Sequence, residues 1–406
     1  MKRIVICADG TWNNRDQVDP ATGKRRPTNV TKLARAVRPR TCRGVDQVVF
    51  YLDGVGTRGP LDSVTGGAFG HGIERNVRDL YRSIVYNYEA GDELFLFGFS
   101  RGAFTVRTLA GFMGKVGLID KDDDYFLPEI YACYERNCAP GSREWKKAFR
   151  RVGVVRPCPP IKLIGVWDTV GALGAPGLIG RIARNLGANK YEYHDVGLHA
   201  AIENAYQALA IDERRAPFKP NLWKRPDGWT GSLEQAWFPG VHRDVGGSYS
   251  PDGLANEALH WIVEKAESHG LEVDDAYLDH FRPFFSSRLH ESMSVRYRIL
   301  GVNVRPIGAE TAGAERVHQT AIDRRHLFAG YRPKNLEAFL ASAGPGLVYA
   351  QTTRVVRGHA ILKRARANTG LDGVTLEVGA GLPARELVSD RGFAADQPVE
   401  ALDQKQ

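Results

Sequence analysis

The sequence predicts an α/β fold in which a mostly parallel sheet carries helices on both faces. Short apolar runs alternate with segments whose apolar residues recur at helical spacing over about the first 270 residues. A serine between two glycines directly follows one of these apolar runs. Polar residues capable of catalysis also follow apolar runs, and the carboxyl ends of parallel strands are where such sheets bind ligands.

The elements are expected in a regular order. Strands are expected over residues 3–8, 47–52, 93–97 and 161–167, and a fifth begins at Ala236. Helices are expected after a Thr28 cap, over residues 73–88 and 103–113, near residues 198–210, and over residues 254–263.

The chain divides by its patterns into two parts. Residues 1–345 are expected to form the catalytic domain, and residues 346–406 a C-terminal extension that is partly a loose acidic tail. Residues from about 119 to 160 have no strand pattern, so they are expected to form a lid-like insertion over the serine.

Ser100 is the candidate nucleophile. It lies in Gly98-Phe99-Ser100-Arg101-Gly102, after an apolar strand and before a helix with one apolar face. In a chain with 44 glycines the bare pattern arises by chance, so the strand and the helix carry the argument. A tight turn between them strains the serine backbone and holds its hydroxyl over the sheet edge, as in α/β-hydrolases.

A serine hydroxyl needs a histidine base and a carboxylate that orients the histidine. His242 is the expected base, because it follows the fifth strand in a glycine-rich turn. Asp168 at the end of the fourth strand is the preferred acid, since the chain order in this fold is serine, acid, histidine. Asp244 is the alternative acid, and His318 is the substitute base.

The oxyanion of the reaction needs backbone donors. The amide of Arg101, which follows the nucleophile, is the first expected donor. The loop after the first strand supplies the second: Gly10 allows close approach, and the amide of Thr11 donates.

Six motifs in order then resemble one family. They are Ala-Asp-Gly-Thr-Trp-Asn at 8–13, Asp-Gly-Val-Gly-Thr at 53–57, Gly-Phe-Ser-Arg-Gly-Ala-Phe at 98–104, Gly-Val-Trp-Asp-Thr-Val-Gly at 165–171, Asp-Glu-Arg-Arg at 212–215 and Phe-Pro-Gly-Val-His-Arg-Asp-Val-Gly-Gly at 238–247. The sequence is similar, to about residue 340, to the bacterial and fungal α/β-hydrolases that include the type VI secretion phospholipase effectors. The resemblance implies a serine esterase with Ser100, Asp168 and His242 as its triad, and no cofactor.

Two alternatives from other classes stay open. A metal-dependent phosphohydrolase could use the strand-end residues Asp9, Asp53, Asp168, His242 and Asp244. The segment from Cys7 to Thr11 approaches an aspartyl phosphatase motif, but cysteine stands where that chemistry needs its nucleophilic aspartate. A non-catalytic binding module on the same scaffold is the other alternative.

The net charge, the cysteines and the N-terminal residues limit which binding partners and which cellular compartment are expected. The net charge is +8, but the basic residues are dispersed, so an ester substrate, with lipid among the candidates, is expected rather than nucleic acid. Peripheral membrane contact stays open, and the oligomeric state has no signal. Five scattered cysteines without metal-site spacing indicate reduced thiols and no structural metal. The N-terminus lacks a secretory apolar region, so a cytoplasmic location in the producing cell is expected, with type VI delivery as an open route.

Overall fold

The computed structural model describes residues 1–18, 23–54, 66–171, 196–310, 313–343, 347–354, 356, 361–364 and 374–377. Seven strands form one sheet in the order β2-β1-β3-β6-β7-β8-β9, and all of its neighbouring pairs are parallel. These strands are β1 (Arg3–Ala8), β2 (Gln47–Leu52), β3 (Glu93–Phe99), β6 (Ile161–Trp167), β7 (Asn204–Ala210), β8 (Ser232–Phe238) and β9 (Glu315–Val317). The predicted parallel α/β sheet is confirmed.

Helices cover both faces of this sheet because side chains alternate along each strand. On β1, Ile4 and Ile6 join a core with helices α2 (Gly66–Asn87) and α3 (Arg101–Val116). Val5 and Cys7 join the opposite core with helices α1 (Asn29–Ala36) and α7 (Gly253–Ser268). Strands β1, β3 and β6 are buried on both faces, so they appear in the sequence as continuous apolar runs.

The junction between β3 and α3 requires two glycines. A Cβ at Gly98 would lie 2.6 Å from the carbonyl oxygen of Gly102, in the first turn of α3. A Cβ at Gly102 would overlap the carbonyl oxygen of Ala8 at the end of β1. Close packing of α3 on β1 and β3 therefore brings the β1 loop next to Ser100. Strand order reverses between β1 and β3, which is where this kind of sheet opens a crevice.

One expected helix is wrong. Residues 204–210 form strand β7, which pairs with β6 on one side and β8 on the other. All seven of its residues are buried, and it is a central strand. An apolar run that short fits a buried strand as well as a helix, and pairing on both edges decides the outcome. Residues 55–57 of the Asp-Gly-Val-Gly-Thr motif that follows β2 lie outside the described residues.

The insertion packs on the far end of α3. It contains a 3₁₀ turn (Lys121–Phe126), helices α4 (Leu127–Glu135) and α5 (Arg143–Ala148), and the two-residue strands β4 (Leu118–Ile119) and β5 (Val155–Arg156), which the sequence did not predict. Tyr131 and Tyr134 of α4 contact Phe112 of α3, about 18 Å along the helix from Ser100. The lid role stays a prediction.

The rest of the chain consists of short elements in its described residues. It contains a 3₁₀ turn (Ala216–Phe218) and the helices α6 (His242–Gly246), α8 (Asp275–Leu278), α9 (Val295–Leu300), α10 (Gln319–Leu327) and α11 (Lys334–Ser342). Strands β10 (Ile361–Arg364) and β11 (Val374–Glu377) pair with each other. The domain division at about residue 345 stays a prediction, and the expected acidic tail lies outside the described residues.

Candidate active site

Ser100 lies at the turn between β3 and α3 with a backbone φ of 57°. This left-handed conformation is costly for a residue with a side chain, and the packing of both glycines maintains it. The Ser100 side chain is buried with the residue only 5% exposed. The strained turn predicted from the sequence is therefore present, and it places the hydroxyl at the carboxyl edge of the sheet.

His242 begins α6, four residues after the end of β8. Its Nε2 lies 2.9 Å from the Oγ of Ser100. The imidazole is packed against the rings of Phe99 and Phe218, at centroid distances of 4.7 and 4.9 Å. Burial lowers the pKa of His242 below its ordinary value, although Asp168 acts in the opposite direction. A neutral imidazole held against the hydroxyl can accept its proton.

Asp168 immediately follows β6, and its Oδ2 lies 2.5 Å from Nδ1 of His242. A carboxylate can only accept, so Nδ1 carries the hydrogen and Nε2 is left free to accept from the Ser100 hydroxyl. Burial alone would raise the pKa of Asp168, but Arg305 and then His242 outweigh it and hold that pKa well below its usual value. The structure brings together Ser100, His242 and Asp168.

Arg305 is part of this arrangement, and the sequence analysis missed it. Its Nη1 donates to Oδ1 of Asp168 at 2.6 Å, and its Nη2 donates to Oδ2 at 3.0 Å. The same guanidinium also donates to the carbonyl oxygens of Ala210 and Phe218. Arg305 is almost fully buried at 1% exposed. The two parallel N–H donors of this guanidinium, which we call the arginine fork, therefore neutralise Asp168 and fix the plane of its carboxylate.

A second buried ion pair supports the backbone of His242. Oε2 of Glu213 accepts the backbone N–H of His242 at 3.2 Å. Arg215 donates to both carboxylate oxygens of Glu213, at 2.9 and 2.7 Å. Burial raises the pKa of Glu213, yet Arg215 outweighs it and holds that pKa below its usual value. Both residues belong to the Asp-Glu-Arg-Arg motif, which was the sequence signal that could have identified them.

The loop after β1 lies against the nucleophile. A Cβ at Gly10 would be 3.1 Å from the Cβ of Ser100, so glycine permits this approach. Thr11 is buried, and among the described residues its Oγ1 has no hydrogen-bond partner. Arg101 is the first residue of α3, where backbone N–H groups lack partners within the helix. Donors from both predicted oxyanion segments are thus near Ser100.

Asp9 holds this loop in place. Its carboxylate accepts hydrogen bonds from Thr28 at 2.6 Å, Tyr51 at 2.6 Å and the backbone N–H of Gly10 at 2.7 Å. Burial raises the pKa of Asp9, and these hydrogen bonds act against that shift.

The two alternative triad members lie elsewhere in the network. Asp244 accepts from Nδ1 of His290 at 2.6 Å and from the backbone N–H of Val241 at 3.0 Å, so it fixes the turn before α6. The imidazole of His318 bonds to the hydroxyl groups of Thr320 and Thr352. Neither of these side chains contacts Ser100 or His242 through a hydrogen bond among those described.

The strand-end carboxylates do not converge on a metal site in the described part of the chain, where no three His, Cys, Asp or Glu side chains form a metal-binding group. Asp9 is bonded to hydroxyl groups, Asp168 to Arg305 and His242, and Asp244 to His290. Asp53 accepts from the backbone of Arg15. Each of these four carboxylates accepts a hydrogen bond from the protein itself.

A family model described as the catalytic domain of Tle1-like phospholipase effectors of the type VI secretion system matches residues 2–265. This is more than half of the chain, and the match includes Ser100, Asp168 and His242. The chain belongs to this family. The matched residues include six of the seven strands of the parallel sheet described above.

Individual relatives are more distant. The "Uncharacterized protein YEL023C" of Saccharomyces cerevisiae is 26% identical over 243 residues, which are 54% of this chain and 32% of that protein. A structure of the Tle1 effector bound to the VgrG spike is 21% identical with a TM-score of 0.34, covering 61% of this chain and 51% of that one. An uncharacterized protein from Pseudomonas aeruginosa is 16% identical with a TM-score of 0.42, covering 85% and 51%. The chain thus spans about a third of the yeast relative and about half of each solved structure.

Within the described residues, no helix is both long and apolar enough to span a bilayer.

Proposed function

We propose that this protein is a serine hydrolase of carboxylic esters, with phospholipids as its substrate class, and that Ser100 forms an acyl-enzyme. The observation that carries the proposal is the continuous hydrogen-bonded series from Ser100 through His242 to Asp168, at 2.9 and 2.5 Å. The strained backbone of Ser100 and membership of a phospholipase family support it.

The proposed mechanism uses the three side chains in turn. His242 takes the hydroxyl proton while Ser100 attacks the ester carbonyl, and the resulting imidazolium is stabilised by Asp168. The oxyanion receives hydrogen bonds from the Arg101 amide and from Thr11. His242 then gives its proton to the leaving alcohol. In the second half, His242 activates a water molecule that hydrolyses the acyl group from Ser100.

A fluorophosphonate probe tests the nucleophile directly. We expect the folded protein to be labelled at Ser100 in a one-to-one ratio, and the Ser100→Ala variant not to be labelled. Hydrolysis of p-nitrophenyl butyrate should fall by at least about 10⁴-fold in the same variant. Labelling at another residue, or equal activity of the alanine variant, would refute the proposal. Loss of activity with a chelator would favour the metal phosphohydrolase instead.

Delivery and partners form a second part of the proposal. The family is named for effectors of the type VI secretion system, and the Tle1 effector of the solved complex is bound to the VgrG spike. We therefore propose type VI delivery for this chain, which co-purification with a VgrG protein of the same cell would support and which secretion independent of that system would contradict.

A further inference from the structure

Residues 293–304, which we call the flanking segment, connect two groups that hold the catalytic histidine and aspartate. At one end, the hydroxyl of Ser292 donates to Glu213 at 3.1 Å, and Glu213 accepts from the backbone of His242. At the other end, Arg305 donates to Asp168. The flanking segment lies outside the residues that the family model matches.

The inner side of the flanking segment packs on the site. The ring of Tyr297 in α9 lies 6.0 Å from that of Phe218, which itself contacts His242. The guanidinium of Arg215 lies over both the Phe218 and the Tyr297 rings. The following residues run beside the strand-end loop, where the N–H of Ala216 donates to Gly301 and the N–H of Asn303 donates to Arg214. The flanking segment is thus directly beside the reacting groups.

Its outer side exposes aliphatic side chains to water. Four of them are far more exposed than is usual for their type: Val295 at 74%, Ile299 at 82%, Val302 at 61% and Val304 at 46%. Val295 and Ile299 are one helical turn apart, so they share a face of α9. Trp12, which follows Thr11 in the oxyanion loop, is also exposed at 44%. Exposed apolar groups concentrated at a reactive site mark an interaction surface.

Positive charge accompanies these apolar groups. Arg298 of α9 and Arg214 and Lys219 of the neighbouring loop are exposed. Glu291 is the acidic partner described for Arg214, at 2.9 Å. The whole chain carries a net charge of +8. Aliphatic side chains bordered by cations match a phospholipid surface, because the first enter the acyl region while the second approach the phosphates.

We propose that the flanking segment docks the protein on an anionic phospholipid surface, so that the mouth of the Ser100 site faces the ester bonds of the lipid. This docking would serve the proposed phospholipid hydrolysis and rests on that proposed function, but vesicle binding can be measured without catalysis. Val295 and Ile299 enter the bilayer interface, and Arg298 and Arg214 approach the phosphates.

Co-sedimentation with vesicles tests the docking surface. We expect the wild-type chain to bind phosphatidylglycerol vesicles at least about tenfold more tightly than phosphatidylcholine vesicles, and added salt to weaken the binding. The double variant Val295→Asn/Ile299→Asn should bind phosphatidylglycerol at least about tenfold more weakly. The control variant Val154→Asn/Leu327→Asn changes two side chains that are 59% and 57% exposed outside the flanking segment, and it should bind as the wild type does.

Hydrolysis of p-nitrophenyl butyrate, a soluble ester, separates the two proposals. Loss of vesicle binding in the double variant with unchanged turnover of the soluble ester supports docking. Vesicle binding that depends on Val295 and Ile299, in a protein that turns over no ester, leaves docking standing and refutes the proposed function. Equal binding by both double variants, or no binding by the wild type, overturns docking. A wild-type dimer that the Val295→Asn/Ile299→Asn variant dissociates, without vesicle binding, also overturns it in favour of a second copy of this chain.

Discussion

Replacing Arg305 with methionine measures how strongly a charge that does not touch His242 sets the basicity of that histidine. The arginine fork holds Asp168 at 2.6 and 3.0 Å, and Asp168 in turn holds His242 at 2.5 Å. Methionine keeps much of the buried volume but removes the charge and the donors. The positive charge that opposes formation of the imidazolium is lost, so the pKa of His242 should rise.

The size of this effect follows from the separation of the two groups. Across one carboxylate the guanidinium lies about 6 Å from the imidazole, and at an effective dielectric constant of about 20 this repulsion is worth about 3 kcal/mol, or about two pH units. Glu213 and Arg215 also face His242, and they partly compensate each other because they form an ion pair. We therefore expect a net change of at least about one pH unit after partial screening.

The assay is the pH dependence of kcat/KM with a soluble ester. Catalysis needs the neutral imidazole, so activity disappears as pH falls through the pKa of His242. In Arg305→Met the acid limb of this profile, where kcat/KM falls as His242 is protonated, should move to higher pH. The maximal kcat/KM on the plateau should fall by about 10- to 100-fold, because the plane of the Asp168 carboxylate is no longer fixed. Arg305→Lys keeps the charge without the fork, so its limb should stay in place while its plateau falls.

Folding is the necessary control, since removing one partner of a buried ion pair costs about 3–5 kcal/mol. Circular dichroism and thermal unfolding would verify that Arg305→Met is folded, and the lysine variant keeps the comparison available if it is not. A folded methionine variant with an unmoved acid limb would refute the electrostatic reasoning, because it would leave Arg305 with a purely geometric role.

Three further predictions concern single groups. Asp244→Asn should change kcat by less than about threefold, since Asp244 bonds to His290, whereas Asp168→Asn should lower it by about 10⁴-fold in the same steady-state assay. Thr11→Val removes an unpartnered hydroxyl but keeps the backbone amide that is expected to donate to the oxyanion, so kcat should change by less than about threefold. A fall of about 100-fold would give the oxyanion role to the hydroxyl instead. Burial lowers the pKa of His260 to about 4, and Arg354, Lys32 and Asp279 lie nearby. As pH falls below 6.5, the unfolded chain therefore binds a proton at His260 before the folded protein does. Urea titrations should show that His260 contributes about 3 kcal/mol to the fall in the free energy of unfolding between pH 6.5 and 4, so His260→Gln should make that fall smaller by this amount.

The parallel sheet could be predicted where burial on both faces leaves a continuous apolar run. Strands β1, β3 and β6 are of this kind, and the helices that follow β1 and β3 have clear apolar faces. Strand β7 could not be identified in the same way. Its alanines, leucine and glutamine favour helix, and only its two neighbouring strands override that preference.

The positions of Ser100, Asp168 and His242 were predictable because each follows a strand, and parallel strands bring their carboxyl ends to one edge. The catalytic roles of these three side chains stay a prediction. Arg305 could not be predicted, because it lies 137 residues after Asp168 in a segment without regular structure. One arginine among 55 basic residues carries no local signal of the carboxylate it contacts.

The site is consequently a product of two parts of the chain. The residues that the family model matches supply the nucleophile, the base and the acid, whereas Ser292 and Arg305, which hold Glu213 and Asp168, come from beyond residue 265. The exposed aliphatic side chains of the flanking segment lie between these two anchoring residues. The Val295→Asn/Ile299→Asn variant changes exposed side chains between these anchoring residues but neither anchor, so it should leave the pH dependence of soluble-ester hydrolysis unchanged.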